Sequence, residues 1–221
     1  MFVGHLAVAL AAKRYEPDVN LAWFIAGVTA FDLLWPIFVL AGIEHVSIVP
    51  GATAFTPLVF DSYPWSHSLA MSALWGLLLV MIARAARVPA SAWTLLAFTV
   101  LSHWLLDFIT HAPDMPLWPG SSPKLGLGLW NSIPGTFIVE GAMWLLGIAI
   151  YLNVLAQRGQ RAGWPFWLFI VVCTVMWASS PWGPLPPDER AVAMFGLVGW
   201  IVVPWAIWAD RSRRSRSPAN A

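Results

Sequence analysis

Three ionisable side chains recur at spacings of four in one apolar stretch. They are His103, Asp107 and His111, within TVLSHWLLDFITHAPD at residues 99–114. Four residues on a helix turn about 40° past a full circle, so the three share one stripe. Thr99 extends that stripe at one end and Asp114 at the other, while Leu101, Leu105 and Phe108 fall roughly opposite and suit lipid or apolar helices. An ionisable group at membrane depth costs on the order of 3 kcal/mol or more, so such groups usually face a bundle interior and act there.

Histidine and carboxylate are the ligands of zinc, iron and manganese sites. A pair at i and i+4 on a helix can hold one ion, which fits His103 and Asp107. His111 lies about 12 Å along the helix from His103, so it shares that ion only if the helix breaks. It otherwise suits a second metal, a substrate contact or a proton-transfer role.

Four further polar groups lie in or beside apolar segments: His5 in FVGHLAVAL, Asp32 in VTAFDLLWP, His67 in PWSHSLAM and Glu140 in FIVEGAMW. At 1.5 Å per residue, Asp32 sits about 18 Å and His103 about 19 Å from the starts of their segments, and His5 up to about 12 Å in. Asp107, His67 and His111 lie progressively nearer the opposite face. One pocket opening outward can therefore hold all six. Each also has a plainer reading. His5 fits a hydrogen-bonded core histidine, Asp32 a partner for a backbone donor, and His67 an interface residue with Ser66 as helix cap. Glu140 reads as ligand, acid/base group or interhelical partner. Glu44, His45 and Asp61 read as solvated loop residues.

The elements that must position these groups are membrane helices. Of 221 residues, 59% are hydrophobic and only 10% charged, with a mean hydropathy of +0.69. A soluble domain carries about 25% charge. The expected fold is an all-α polytopic bundle in a single domain over residues 1–210, followed by a basic disordered tail over 211–221. Six spans are expected at about 20–43, 66–86, 90–110, 136–156, 164–179 and 191–209. A short helix near residues 2–12 precedes them; it is too short to cross, since a crossing needs about 20 residues. It has no positive region before its apolar core, so a cleaved signal peptide is not expected. If all six segments cross, ten of the twelve Lys and Arg residues fall on one side, leaving Lys124 and Arg190 on the other. The positive-inside rule makes that basic side cytoplasmic, the C-terminus included, in an inner membrane. The 16 Trp residues fit interface anchoring. The long Pro- and Gly-rich segment at 111–135 reads as a lid, a binding loop or an ordered connection. Cys173 is the single cysteine and reads as a buried apolar residue. No nucleotide-binding glycine motif, repeat or nucleic-acid-binding feature is present. The lipid bilayer is the expected partner.

The chain resembles the YdjM-like family of membrane-bound proteins named as metal-dependent hydrolases. The matching pieces are Gly4-His5, the acid Asp32, Ser66-His67-Ser68, and Ser102-His103-Trp104-Leu105-Leu106-Asp107 followed by Thr110-His111. They cover roughly the first half of the chain. Where that family often has Pro-Asp-x-Asp, this chain has Thr29-Ala30-Phe31-Asp32, with one acid fewer. Where the family often has His-Arg, this chain has Tyr63-Pro64-Trp65-Ser66. With one acid fewer, the site would hold one ion instead of two, or none. The resemblance implies a hydrolase using a divalent ion, zinc or manganese, on a phosphoester or lipid-linked substrate. His5, Asp32, His67, His103 and Asp107 would then be ligands or their support, and His111 and Glu140 would handle protons. Two rivals stand beside it: a small-solute or ion transporter using the stripe as a relay, and a noncatalytic membrane scaffold.

Overall fold

Four of the ten helices begin where a side chain takes up backbone donors that the first turn leaves free. The computed structural model describes residues 1–215. A short helix, α1 (Val3–Ala12), leads into α2 (Leu21–Val28) and α3 (Ala30–Leu40). A hairpin of β1 (His45–Ile48) and β2 (Leu58–Ser62) precedes the one-turn helix α4 (Pro64–His67) and α5 (Leu69–Ala85). Next come α6 (Trp93–Thr110), the two-residue strands β3 (Met115–Pro116) and β4 (Lys124–Leu125), and α7 (Ile133–Gln157). The chain ends with β5 (Gln160–Arg161), α8 (Trp164–Ser179), α9 (Glu189–Gly196), α10 (Val202–Arg211) and β6 (Arg214–Ser215). Asn20 caps α2, Ser68 caps α5, Ser132 caps α7 and Asp188 caps α9, each accepting from a first-turn amide.

Among the described residues, four helical stretches are long and apolar enough to cross a membrane: Ala90–Thr110, Ile133–Gln157, Trp164–Trp182 and Glu189–Arg211. The pair α2 and α3 makes a fifth if it counts as one span, because it bends by 50°. The expected sixth span is therefore not secured. The helix at that place, α5, has 17 residues and reaches about 26 Å, short of the ~30 Å hydrocarbon core. The bend falls at Thr29, whose hydroxyl bonds back to the Ile25 carbonyl at 2.7 Å and whose own backbone leaves helical geometry. Large apolar side chains point outward along the spans, among them Ile138 (70% exposed), Leu145 (69%) and Phe195 (67%). A face this apolar and this extensive is lipid-facing.

The short helix α1 does not lie on the surface. Eight of its ten residues are buried, and it packs against α7, α2 and α6. Its closeness to α7 depends on Gly147, where an added Cβ would come within 2.7 Å of the Ala7 backbone. Gly27 plays the same part between α2 and α6, facing the Thr99 hydroxyl. At the far end of α1, the Lys13 ammonium is fully buried. It donates to the Pro17 carbonyl at 2.8 Å and to that of Val19, and stands 3.5 Å from Asp210. Asp210 also accepts from Tyr151, Leu21 and Arg213. Burial pulls the Lys13 ammonium down to about 8. This clasp ties α1 to α2, α7 and α10.

The basic tail expected to be disordered begins at Arg211. Arg214 and Ser215 pair with Gln160 and Arg161 as a small antiparallel ladder, and Arg213 folds back on Asp210. The remainder of that expectation, 216–221, lies outside the described residues.

Candidate metal centre

Helix α6 supplies the axis of the site. His103 and Asp107 stand one turn apart on its buried face, and the helix ends at Thr110 as His111 turns extended ahead of Ala112-Pro113. That break follows from the residue before proline avoiding helical geometry. His111 itself stays in register with the stripe, its amide bonded to the Asp107 carbonyl at 2.8 Å and its Nε2 3.9 Å from Asp107 Oδ2. The other groups arrive on separate elements: His5 on α1, Asp32 on the first turn of α3 and His67 at the end of α4.

Asp107 is the hub, and its two oxygens face different company. Oδ1 lies 3.0 Å from His5 Nε2 and also meets the Met1 amino group. Oδ2 lies 2.9 Å from His103 Nε2, 3.9 Å from His111 Nε2 and 4.0 Å from His67 Nε2. Asp32 Oδ1 closes the cluster, 3.7 Å from His67 Nε2 and 3.8 Å from His103 Nε2. His5, His67, His103, Asp107 and His111 are all buried, whereas the Asp32 side chain is 49% exposed and marks the mouth. The His5 and His103 rings stack 3.9 Å apart.

Three imidazoles are locked from behind. His103 Nδ1 meets the Val28 carbonyl at 2.7 Å and therefore carries the proton, leaving a lone pair on Nε2. His67 Nδ1 contacts Ser66 Oγ at 2.6 Å, and Ser66 Oγ in turn reaches Glu44 Oε2 at 2.6 Å. If the serine hydroxyl donates to the carboxylate, it accepts from His67, whose Nε2 then also presents a lone pair. His111 Nδ1 faces Asp114 at 3.0 Å and the Tyr63 hydroxyl at 3.3 Å, and Tyr63 also bonds Asp114. Burial and the facing Asp114 push the Tyr63 phenol well above its ordinary range, so it stays a donor.

Donor chemistry and spacing both suit a divalent ion. With bonds of about 2.0–2.2 Å, ligand atoms around one ion stand about 3–4 Å apart. Two overlapping groups come near that spacing, His5 with His103 and Asp107, and Asp32 with His67 and His103, the ligand atoms of each lying within 4.8 Å of one another. The most telling atom is His103 Nε2, which is buried, close to a carboxylate oxygen, and has no hydrogen-bond partner. His5 differs, because its Nε2 makes a hydrogen bond to Asp107 and its Nδ1 is the atom left without one.

The expectation for Glu44 is overturned. Its carboxylate is fully buried and accepts from the Trp65 and Ser66 amides, each at 2.8 Å, as well as from the Ser66 hydroxyl. Burial raises its carboxyl above the usual range while these donors oppose the rise. Alternation along 44–48 held the signal: Glu44 and Val46 are buried, with exposed His45 between them. Ser66 is accordingly no helix cap; Ser68 caps α5 instead. Glu140 is buried on α7, where Oε2 accepts from the Phe2 and Gly4 amides at 2.8 and 3.3 Å, while Oε1 has no partner. His45 is exposed, 3.6 Å from Glu189, and Asp61 is an exposed strand residue bonded to Ser47.

Four separate elements, α1, α3, α4 and α6, thus deliver histidine and carboxylate to one centre among apolar helices. The family model described as YdjM inner membrane protein matches residues 1–185. The chain belongs to the YdjM family. The match takes in every residue of the centre, from His5 to Glu140, and leaves α9 and α10 outside. It agrees with the apolar helices in making this a multi-pass inner-membrane protein. No curated protein and no solved structure matches the chain.

Proposed function

We propose that this YdjM-family chain is a divalent-metal-dependent hydrolase, using zinc or manganese on a phosphoester or lipid-linked substrate. The observation that carries the reading is the buried His103 Nε2, 2.9 Å from Asp107 Oδ2 with no hydrogen bond satisfying it. A buried nitrogen lone pair beside a carboxylate is costly unless a cation lies between them. Asp32, His67, His103 and Asp107 would hold the ion, and His5 would orient Asp107 through its second oxygen. The ion supplies Lewis-acid polarisation and a bound water of lowered pKa.

Hydrolysis of a phosphoester bonds the oxygen of water to phosphorus, breaks one P–O ester bond and delivers a proton to the leaving oxygen. His111 would supply that proton; in support, its Nε2 lies 3.9 Å from Asp107 Oδ2 and its Nδ1 faces Asp114 and Tyr63. Glu140 holds the N-terminus of α1, and so His5, more readily than it reaches a reacting atom. The site would open on the outer side, since the basic residues gather on the opposite face. A transporter relay would need polar groups onward from the centre toward Lys13. Along α1 the seven intervening residues, Leu6 to Ala12, are all apolar, so that helix gives the relay no support.

The test is hydrolysis of a chromogenic phosphodiester by protein purified without chelator and then supplied with zinc or manganese. Turnover that follows metal content and disappears in His103→Ala is expected. Equal turnover in wild type and His103→Ala would overturn the assignment.

A further inference from the structure

A groove of about 950 Å³ lies beside the metal centre and apart from it. Its walls come from the 50–58 loop, the end of α8, the 181–187 segment and the outer face of α9. No charged side chain lines it, and six of its residues are prolines: Pro50, Pro57, Pro181, Pro184, Pro186 and Pro187. Proline has no amide hydrogen, so these walls offer few donors. Three of its four hydroxyls donate to backbone, Thr53 to the Thr56 carbonyl and Ser179 and Ser180 to the Met176 carbonyl, while the Thr56 oxygen accepts from the Leu58 amide. A ligand that fits here asks for burial and not for hydrogen bonds.

The groove is continuous with the lipid-facing surface. Met176 belongs to the span Trp164–Trp182 and Phe195 to the span Glu189–Arg211, and both are exposed. Its inner wall is continuous with the metal centre. The Phe2 amide is held by Glu140, and the next residue back places its amino group on Asp107. The Phe55 amide donates to the Trp130 carbonyl, and the Trp130 ring lies 4.3 Å from that of His111. Val192 packs on the cluster containing Phe31, the neighbour of Asp32.

We propose that this groove binds an acyl chain of a bilayer phospholipid and so presents the head group beside the metal centre. The step from bound lipid to substrate rests on the hydrolase reading above; the binding itself does not. A chain entering sideways from the bilayer needs an uncharged wall that is open to lipid at one edge and reaches the chemistry at the other. The groove supplies each of these features, within the ~300–1,000 Å³ typical of ligand sites.

The experiment uses full-length protein in vesicles of phosphatidylethanolamine and phosphatidylglycerol, doped with a phospholipid carrying a photoactivatable group in its acyl tail. Cross-linked peptides are mapped in wild type and in two variants that fill the groove, Ala191→Trp and Gly183→Phe. The second is tolerable because a Cβ at Gly183 would meet only the Ser180 carbonyl, at 3.6 Å. The expected result is labelling concentrated on Met176, Leu185 and Phe195, at least tenfold above Leu145 on the open lipid face, and lost in both variants. Even labelling across the lipid face, or labelling unchanged by both variants, would overturn the proposal. Two other results would also overturn it: labelling only by a photoactivatable prenyl lipid, or groove residues cross-linked to a second protein chain. If labelling is as expected and the protein holds no metal, the groove stands and the hydrolase reading falls.

Discussion

His103 Nε2 and Asp107 Oδ2 face each other at 2.9 Å, one helical turn apart, without hydrogen-bond geometry between them. The cause lies behind the ring. The Val28 carbonyl accepts from Nδ1–H, so in the neutral ring the nitrogen turned to Asp107 carries no proton. Two acceptors pressed together in an apolar interior repel unless a positive charge joins them. The same arrangement recurs at His67, whose outer nitrogen is held by Ser66 and Glu44.

The Glu44–Ser66–His67 chain is the first place to test. Groups that hold the far side of a metal-binding histidine typically contribute about 10–100-fold in metal affinity. Glu44→Gln and Ser66→Ala should each weaken zinc or manganese binding by about that factor, and the double change by less than the product. Isothermal titration of the detergent-purified variants decides this. Affinity unchanged in both would remove Glu44 and Ser66 from the site.

Glu140 separates a structural role from a chemical one. Glu140→Gln keeps an oxygen to accept from the Phe2 and Gly4 amides, so thermal unfolding and metal content should stay close to wild type. Glu140→Leu removes the acceptor and should cost about 1–3 kcal/mol for each buried donor left unpaired. Full turnover in Glu140→Gln would confine the residue to holding α1. Turnover lost with metal retained would make it the proton carrier instead.

Much of this was legible in the sequence, and the reasons differ by element. The periodicity of α6 placed His103 and Asp107 together, because spacing alone puts i and i+4 on one face. The apolar runs located 90–110 and 164–179 to the residue, since Pro89, Gly163 and Pro165 punctuate them. Glu44 was missed because a hairpin buries alternate residues, and four residues of strand are too few to show that period clearly. The bend at Thr29 carries neither proline nor glycine at the break, and depends on a hydroxyl bonding back to its own helix. The place of His111 turns on whether α6 breaks, and Ala112-Pro113 is the sequence signal that favours a break there.

Topology depends on α5. The family and the apolar helices establish a multi-pass protein, but 17 residues fit a bilayer only if it thins or if flanking groups reach out. Reporter fusions at Gly51 and Arg87 should fall on opposite sides if α5 crosses, with the fusion at Arg87 cytoplasmic. Fusions at Gly120 and Ala221 should also oppose each other, with Ala221 cytoplasmic. Gly51 and Arg87 on one side would make α5 a helix packed within the bundle and reduce the crossings to five.

The central claim is that a divalent ion joins the imidazoles and carboxylates around Asp107. Elemental analysis of wild-type protein, purified without chelator and offered zinc or manganese, tests it most directly, with His103→Ala and the exposed-residue control His45→Ala alongside. Wild type and His45→Ala should retain about one ion per chain, as four converging ligands would hold. His103→Ala should retain almost none while still inserting, because insertion depends on the apolar spans. Wild-type protein that keeps no ion would contradict the account and leave the stripe as a packing device between helices.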